Sequence, residues 1–165
     1  MVTIRERLPH ALPADAELVL PFESRQKSRL MTALASGEPV GLMLDRGTVL
    51  RGGDCLRADD SRVVRVVAAD EALMEARCSN AAGLARCAYH LGNRHTPVQV
   101  GDGWVRFAAD DVLAGMARAV GATVMAVTAP FEPEAGAYAG GHHHSGDAKH
   151  AGIIHDMAAR VRINT

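Results

Sequence analysis

The hydrophobic pattern of this chain changes period near residue 70, and that change restricts the possible folds more than any other feature. Before residue 70 the apolar runs are short and lie close together, and turns that contain glycine separate them. The candidate strands are residues 18–22, 29–31, 40–44, 48–50 and 63–67. Strands so close in sequence are joined by hairpins, so residues 1–69 are predicted to form an N-terminal, all-β antiparallel domain.

Residues 70–138 alternate between strand-like and helical segments. The predicted elements are a strand at 73–78, a helix at 81–91, strands at 96–100 and 104–107, a helix between Asp110 and Gly121, and a strand at 123–128. Asn80 can cap the first helix, and residues 101–103 form a hairpin turn. The apolar stripe of the second helix consists of Val112, Leu113, Met116, Ala117 and Val120. The order β-α-β-β-α-β predicts a ferredoxin-like domain and an α+β protein.

The composition of the chain argues against several classes of partner. Basic and acidic residues number 18 and 19, so the net charge of −1 provides no large field to hold nucleic acid or an anionic membrane. An apolar run long enough to cross a membrane is missing from the sequence, and the charged N-terminus does not resemble an export signal. Three cysteines without a CxxC pair suit a reducing compartment, so a soluble, cytoplasmic protein is expected.

Histidines near the C-terminus give the strongest chemical signal. His142, His143 and His144 lie in residues 139–165, a region rich in glycine, alanine and histidine that is predicted to be a flexible tail. Imidazole is a good ligand for nickel, zinc and copper, and a flexible segment can wrap around an ion. A tail without a function and a remnant of a purification tag are the alternatives, although the sequence that follows the histidines argues against a tag. This composition does not specify the metal.

His95 is a second candidate ligand, because it follows the predicted end of a helix. Gly92 or Asn93 can end that helix in a left-handed conformation, which would leave His95 facing outward. A histidine that is merely hydrogen-bonded in a loop is the alternative. One imidazole holds an ion weakly, but a two-fold dimer would bring two copies of His95 together. His90 is excluded from the site, because five residues turn a helix through about 140°, and is expected to be partly buried.

Signatures of a catalytic centre are missing from the sequence. GxSxG, GxxxxGK[ST], HExxH and GxGxxG segments do not occur. The three cysteines stand singly in apolar stretches, where buried structural thiols are common. The chain is therefore predicted not to be an enzyme.

Three segments resemble the UreE urease accessory proteins, a family of nickel metallochaperones. They are residues 40–50 (VGLMLDRGTVL) with Gly53-Asp54, residues 88–95 (AYHLGNRH) and residues 130–138 (PFEPEAGAY). The resemblance implies an N-terminal domain for protein contacts and a homodimer joined through the C-terminal domains. It also implies a nickel site that uses His95 of both subunits and histidines of the tail. The implied partners are the urease accessory GTPase and the urease activation complex.

The resulting hypothesis is a chaperone that carries Ni(II) as cargo on His95, His142, His143 and His144, with Zn(II) or Cu(II) as competitors. Two alternatives remain at this stage. One is a structural interaction module of a urease-maturation complex, in which metal binding is incidental, and the other is a metal-dependent enzyme that uses the same histidines. The chain lacks the extra histidines that some members of the family carry before the second helix, where it has Ala108-Ala109-Asp110-Asp111. Delivery is therefore favoured over nickel storage.

Overall fold

The computed structural model describes residues 1–135, which contain ten strands and three helices. The strands form one six-stranded and one four-stranded sheet. The predicted α+β class is confirmed. Of the described helices, none is long and apolar enough to cross a membrane. The predicted tail, residues 139–165, lies outside the described residues.

The six-stranded sheet comes first in the chain. Its elements are β1 Val2–Arg7, β2 Ala16–Leu20, α1 Phe22–Arg25, β3 Arg29–Ala33, β4 Pro39–Met43, β5 Cys55–Ala58 and β6 Val63–Ala68. The strand order is β2-β6-β5-β1-β4-β3. A buried cluster of leucine, valine, isoleucine and alanine packs against this sheet, and Ile4, Leu18 and Leu56 in it are completely inaccessible to solvent. Burial of such aliphatic surface is the main force that stabilises this part of the chain.

The prediction of an all-β antiparallel N-terminal domain is wrong in its detail, because the sheet is mixed and a four-residue helix interrupts it. β1 runs parallel to β4, and β2 runs parallel to β6. Sequence reasoning missed β1, because its polar residues Arg5, Glu6 and Arg7 obscure the two apolar positions that face the core. β1 lies between β4 and β5, which run in opposite directions, so one of its two pairings is parallel.

Residues 48–50 are also not a strand, although the sequence predicted one. Leu50 is fully buried, and its N–H donates to the carbonyl of Arg25 at 2.9 Å. Residues 48–50 are apolar because they form a loop that is partly buried in the core. Hydrophobicity alone does not distinguish such a buried loop from a strand.

The elements of the four-stranded sheet follow the predicted order, although the strand predicted at 96–100 begins only at Gln99. These elements are β7 Asp70–Arg77, α2 Ala81–Gly92, β8 Gln99–Gly101, β9 Trp104–Ala108, α3 Asp111–Ala119 and β10 Thr123–Pro130. The strand order is β10-β7-β9-β8, and every pairing is antiparallel. Asn80 caps α2 by accepting a bond from the N–H of Gly83, and Asp110 caps α3 by accepting from Leu113, each at 2.8 Å. The predicted cap at Asn80 is thus confirmed, and the second helix begins next to Asp110 as predicted.

Both helices cover the same face of this sheet. Leu91 of α2 and Ala117 of α3 share a buried cluster with Phe107 of β9. The opposite face contacts the first domain, because Leu73 of β7 packs there with Phe22 and Phe131. The ring centroids of the two phenylalanines are 5.7 Å apart. Residues 131–134, here called the connector, begin beside this contact and lead towards the predicted tail.

Candidate metal centre

The loop after α2 holds His95 at the surface. The N–H of Arg94 donates to the carbonyl of Leu91 at 3.0 Å, and the N–H of His95 donates to that of Gly92 at 2.9 Å. These short turns tighten the end of the helix before the chain reverses. His95 itself takes the left-handed conformation, with φ of +55°, and its side chain is exposed.

The predicted left-handed end at Gly92 or Asn93 is wrong. Asn93 has φ of −61° in the right-handed region, because the tightened turns carry the helical backbone past Gly92. The reversal then falls on His95. A residue with a Cβ atom adopts this conformation at a cost of roughly 1–2 kcal/mol, so the exposed imidazole occupies a strained position.

His90 is partly buried on α2, as predicted. Its ring lies edge-to-face with Tyr89, with centroids 5.4 Å apart, and its carbonyl accepts a bond from Arg94. Within residues 1–135, no group of three or more histidine, cysteine, aspartate and glutamate side chains is placed to hold a metal ion. One copy of the described fold thus presents His95 without a complete ligand set, and the other predicted ligands, His142, His143 and His144, lie outside the described residues.

The cysteines do not form an alternative site in the described fold. Cys55 and Cys87 are buried, and Cys78 is half-buried. Burial raises the pKa of the Cys87 thiol to about 11, so this thiol is protonated at neutral pH. Thiolate is the form that binds metals, which agrees with the prediction that these residues are structural.

Both helices contribute residues to the end of the helix layer where His95 lies. β9 ends at Ala108, which pairs with Leu73 near the start of β7. α3 therefore begins at the same end of the sheet at which α2 finishes. Tyr89 of α2 and Val112 of α3 are 64% and 78% exposed. The prediction that Val112 faces the core is wrong, because the neighbouring positions of α3 make the contact with the sheet and Val112 lies about 100° away from Leu113.

The connector passes close to the His95 loop. Pro130 pairs with Asp70 at the β10 edge of the sheet, whereas Val98 and Gln99 lie at the opposite, β8 edge. The N–H of Glu132 donates to the side chain of Gln99 at 3.1 Å, and the N–H of Glu134 donates to the carbonyl of Val98 at 2.8 Å. The connector therefore crosses the sheet, and its last residue is bonded to Val98, which lies three residues in sequence from His95.

Sequence reasoning missed a partly buried ionic cluster that holds this connector. Arg25 is completely inaccessible to solvent, and its Nη1 donates to Glu132 Oε1 at 2.8 Å. Arg51 Nη1 lies 3.3 Å from Glu132 Oε2, and the N–H of Gly52 donates to Oε1 at 2.7 Å. Burial opposes ionisation of Glu132, but these donors outweigh it and hold its pKa below the usual value. The partners are far apart in the sequence, so no local pattern identifies them.

Comparisons with known proteins agree with the resemblance read from the three segments. The family model for the UreE urease accessory protein N-terminal domain matches residues 4–69, and the model for the UreE C-terminal domain matches residues 71–157. Both matches follow the division between the two sheets, since β6 ends at Ala68 and β7 begins at Asp70.

Individual urease accessory proteins UreE match this chain over almost its whole length. The urease accessory protein UreE of Nitrosospira multiformis is 51% identical, with 99% of this chain and 93% of the relative covered. That of Azotobacter vinelandii is also 51% identical, with 97% and 99% covered. That of Pseudomonas fluorescens strain Pf0-1 is 49% identical, with 98% and 100% covered. This chain therefore belongs to the UreE family of urease accessory proteins.

Proposed function

We propose that this protein acts in urease maturation as a nickel metallochaperone. In this proposal two copies of His95, one from each subunit of a homodimer, capture Ni(II) as cargo. His142, His143 or His144 then completes the coordination and releases it again. The observation that carries the proposal is His95 itself, exposed on a left-handed backbone at the end of α2. Imidazole suits nickel as a ligand, and an incomplete site permits ligand exchange.

The surface beside His95 supports a dimer joined through the C-terminal domain. Tyr89 and Val112 expose large apolar side chains at the same end of the helix layer as His95. A second copy would bury them, and a two-fold axis near this surface would place the two imidazoles opposite each other. The C-terminal core is also short of large residues, with Phe107 as its one aromatic member among the buried residues, so burial at an interface would add to its stability.

The path of the connector supports a role for the tail. Glu134 is bonded to Val98, three residues from His95, and His142 follows Glu134 by eight residues. Eight residues reach at most about 29 Å when extended, which is ample for a site on the same loop. The length of chain between Glu134 and His142 is therefore compatible with the proposed site.

The remaining assignments belong to the same proposal. Residues 1–69 serve partner contacts, residues 70–138 form a ferredoxin-like domain for metal binding and dimerisation, and residues 139–165 form the tail. The partners are the urease accessory GTPase and the urease activation complex, in the cytoplasm. The four-stranded order β10-β7-β9-β8 supports the ferredoxin-like assignment. Since the relatives are named accessory proteins, we propose no catalytic activity.

One observation favours an interaction module as the second candidate function. A groove of about 310 Å³ opens in the six-stranded sheet between β1, β3 and β4, and Met1, Met31 and Met43 line it together with Arg29. Flexible methionine side chains suit surfaces that bind other proteins. If contacts of this kind are the main task of the chain, nickel binding would be incidental.

Nickel calorimetry and a urease activation assay in limiting nickel separate these functions. The comparison uses the wild type, His95→Ala and a chain that ends after Tyr138, with His90→Ala as the control. We expect His95→Ala to abolish tight Ni(II) binding and nickel-limited activation, the shortened chain to bind more weakly, and His90→Ala to behave as the wild type. Unchanged affinity and stoichiometry in His95→Ala would refute the site. If activation were indifferent to both changes, the interaction module would be the better explanation.

A further inference from the structure

We propose that Cys78 and Cys87 form a redox-sensitive dithiol, which a peroxide oxidises to an intrachain disulfide between the end of β7 and α2. The two residues belong to different parts of the four-stranded domain, and the fold brings them together. This modification site goes beyond the proposed nickel function, because it does not use His95 or the surface beside it. It gives a role to two thiols that the metal centre leaves unused.

The position of Cys78 is fixed by the four-stranded sheet. Arg77, the last residue of β7, pairs with Trp104, and the N–H of Cys78 donates to the carbonyl of Gly103 at 2.9 Å. Cys78 therefore follows directly on the sheet and precedes the N-cap of α2 at Asn80. Its side chain packs against the buried cluster that lies between the sheet and the two helices.

The geometry of α2 places Cys87 beside Cys78. The Cβ atom of Cys78 lies 3.6 Å from the point that a Cβ atom on Gly83 would occupy. Gly83 and Cys87 are separated by four residues on α2, so they lie on the same face of the helix, about one turn apart. Because glycine adds no side chain at this point, Cys78 can approach the helix closely. Its thiol there interacts with the thiol of Cys87.

The two thiols differ in exposure, and this difference assigns their roles. Cys87 is completely inaccessible to solvent, whereas Cys78 is half-buried. Burial, with a contribution from the neighbouring Cys78, raises the pKa of the Cys87 thiol to about 11, so Cys87 keeps its proton at neutral pH. An oxidant from solution therefore reacts first with Cys78, and Cys87 is the resolving thiol beside it.

The reaction has two steps and consumes one molecule of peroxide. Cys78 loses its proton to solvent, and its thiolate attacks one peroxide oxygen. The O–O bond breaks, hydroxide leaves and takes up a proton, and Cys78 becomes a sulfenic acid. The sulfur of Cys87 then attacks the sulfur of Cys78, the S–O bond breaks, and the proton of Cys87 leaves with the hydroxyl group as water. Two thiols thus lose two electrons to the peroxide, and the products are one disulfide and two water molecules.

Treatment of the full-length protein with hydrogen peroxide tests the pair, with linked peptides identified by mass spectrometry. Cys55 is the internal control, because it is buried in the first domain, where its thiol donates to the carbonyl of Leu12 at 3.6 Å. In the folded protein, the Cys78–Cys87 linkage should exceed any linkage to Cys55 by about tenfold or more, since the fold raises the effective concentration of one thiol at the other. In urea, linkages to Cys55 should appear as well. A dithiol reductant should reverse the bridge.

Single variants test the order of the two steps. In Cys87→Ser, Cys78 should stop at the sulfenic acid, which dimedone traps, and in Cys78→Ser, Cys87 should stay reduced. Cys55→Ser should form the bridge as the wild type does.

The result in the folded wild type decides the proposal, so the decision does not depend on the folding of a variant. Failure to form the Cys78–Cys87 linkage there would overturn the proposal, as would linkage to Cys55 in a comparable amount. Oxidation of Cys87 in Cys78→Ser at the rate of the wild type would overturn the assignment of Cys78 as the thiol that reacts first.

Discussion

The two sheets of this protein differ in the size of the core that each one buries. The six-stranded sheet buries a large aliphatic cluster and pairs many of its surface charges, as in the contacts of Arg62 with Glu38 and Asp60. The four-stranded sheet buries fewer large residues and leaves Tyr89 and Val112 exposed beside His95. In the proposed function, the four-stranded sheet is the one that pairs with another copy and binds the ion. The predictions below test that difference.

The largest expected effect concerns the core of the four-stranded sheet. Phe107 is fully buried, so Phe107→Ala should cost about 3–5 kcal/mol in free energy of unfolding. Leu42→Ala is the matched change in the six-stranded sheet, with an expected cost of about 2–5 kcal/mol. Urea denaturation at several protein concentrations measures both. The unfolding midpoint of the four-stranded domain should rise with protein concentration, whereas that of the six-stranded domain should not. An equal dependence of the two variants on protein concentration would contradict the comparison.

Nickel affinity is the next largest effect. In the proposed dimer, His95→Ala would remove two ligands, so affinity should fall by about 100-fold or more, beyond the usual effect of residues that merely support a ligand. Calorimetry at neutral pH measures the change. His10→Ala, on the six-stranded side of the chain, should bind nickel as the wild type does. Comparable losses for both histidines would show that the two sheets do not differ in metal binding.

The dimer surface gives a smaller effect. Val112→Asp places a charge on the exposed apolar surface beside His95, and it should raise the dimer dissociation constant about tenfold or more. Sedimentation equilibrium provides the measurement. Val19→Asp, at an exposed valine of the six-stranded sheet, is the control and should leave association unchanged. Loss of association in the Val19 variant instead would place the interface on the six-stranded sheet and contradict the proposed surface.

The smallest effect is on the pH dependence of stability. Burial opposes ionisation of Glu75, but hydrogen bonds from Arg106 and Arg77 outweigh it and lower its pKa below the ordinary 4.5. The stability that Glu75 contributes is complete above pH 4.5 and is lost as pH falls through the lower pKa of the folded state. Denaturant unfolding between about pH 3 and 7 should show this decline, and Glu75→Gln should flatten it. An identical pH profile in the variant would refute the assignment.

Local signals in the sequence predicted the four-stranded half of the fold. Asn80 was identified as a cap because an N-cap needs only its own side chain and the next three residues. The hairpin at Asp102-Gly103 was likewise encoded locally, with Gly103 at φ of +75°. Interactions between distant segments were not predictable in this way. β1 becomes a strand through pairing with β4 and β5, and Glu132 meets Arg25 across more than a hundred residues.

The candidate site was predicted in the same uneven manner. His95 was found from its place after a helix, although the left-handed backbone was expected at Gly92 or Asn93. That error arose because the turns made by Arg94 and His95 depend on the details of the helix end. The positions of the tail histidines lie outside the described residues, so their part in the site stays a prediction.

The left-handed backbone of His95 also has a consequence for the evolution of this loop. Glycine would relieve the strain at this position and should make the metal-free fold more stable by about 1 kcal/mol. Selection for stability alone would therefore favour glycine, and selection for nickel capture would retain histidine. In the proposed function, stability of the fold and nickel capture would therefore favour different residues at position 95. A lineage that no longer needed the ion would be expected to lose His95 before it lost the fold.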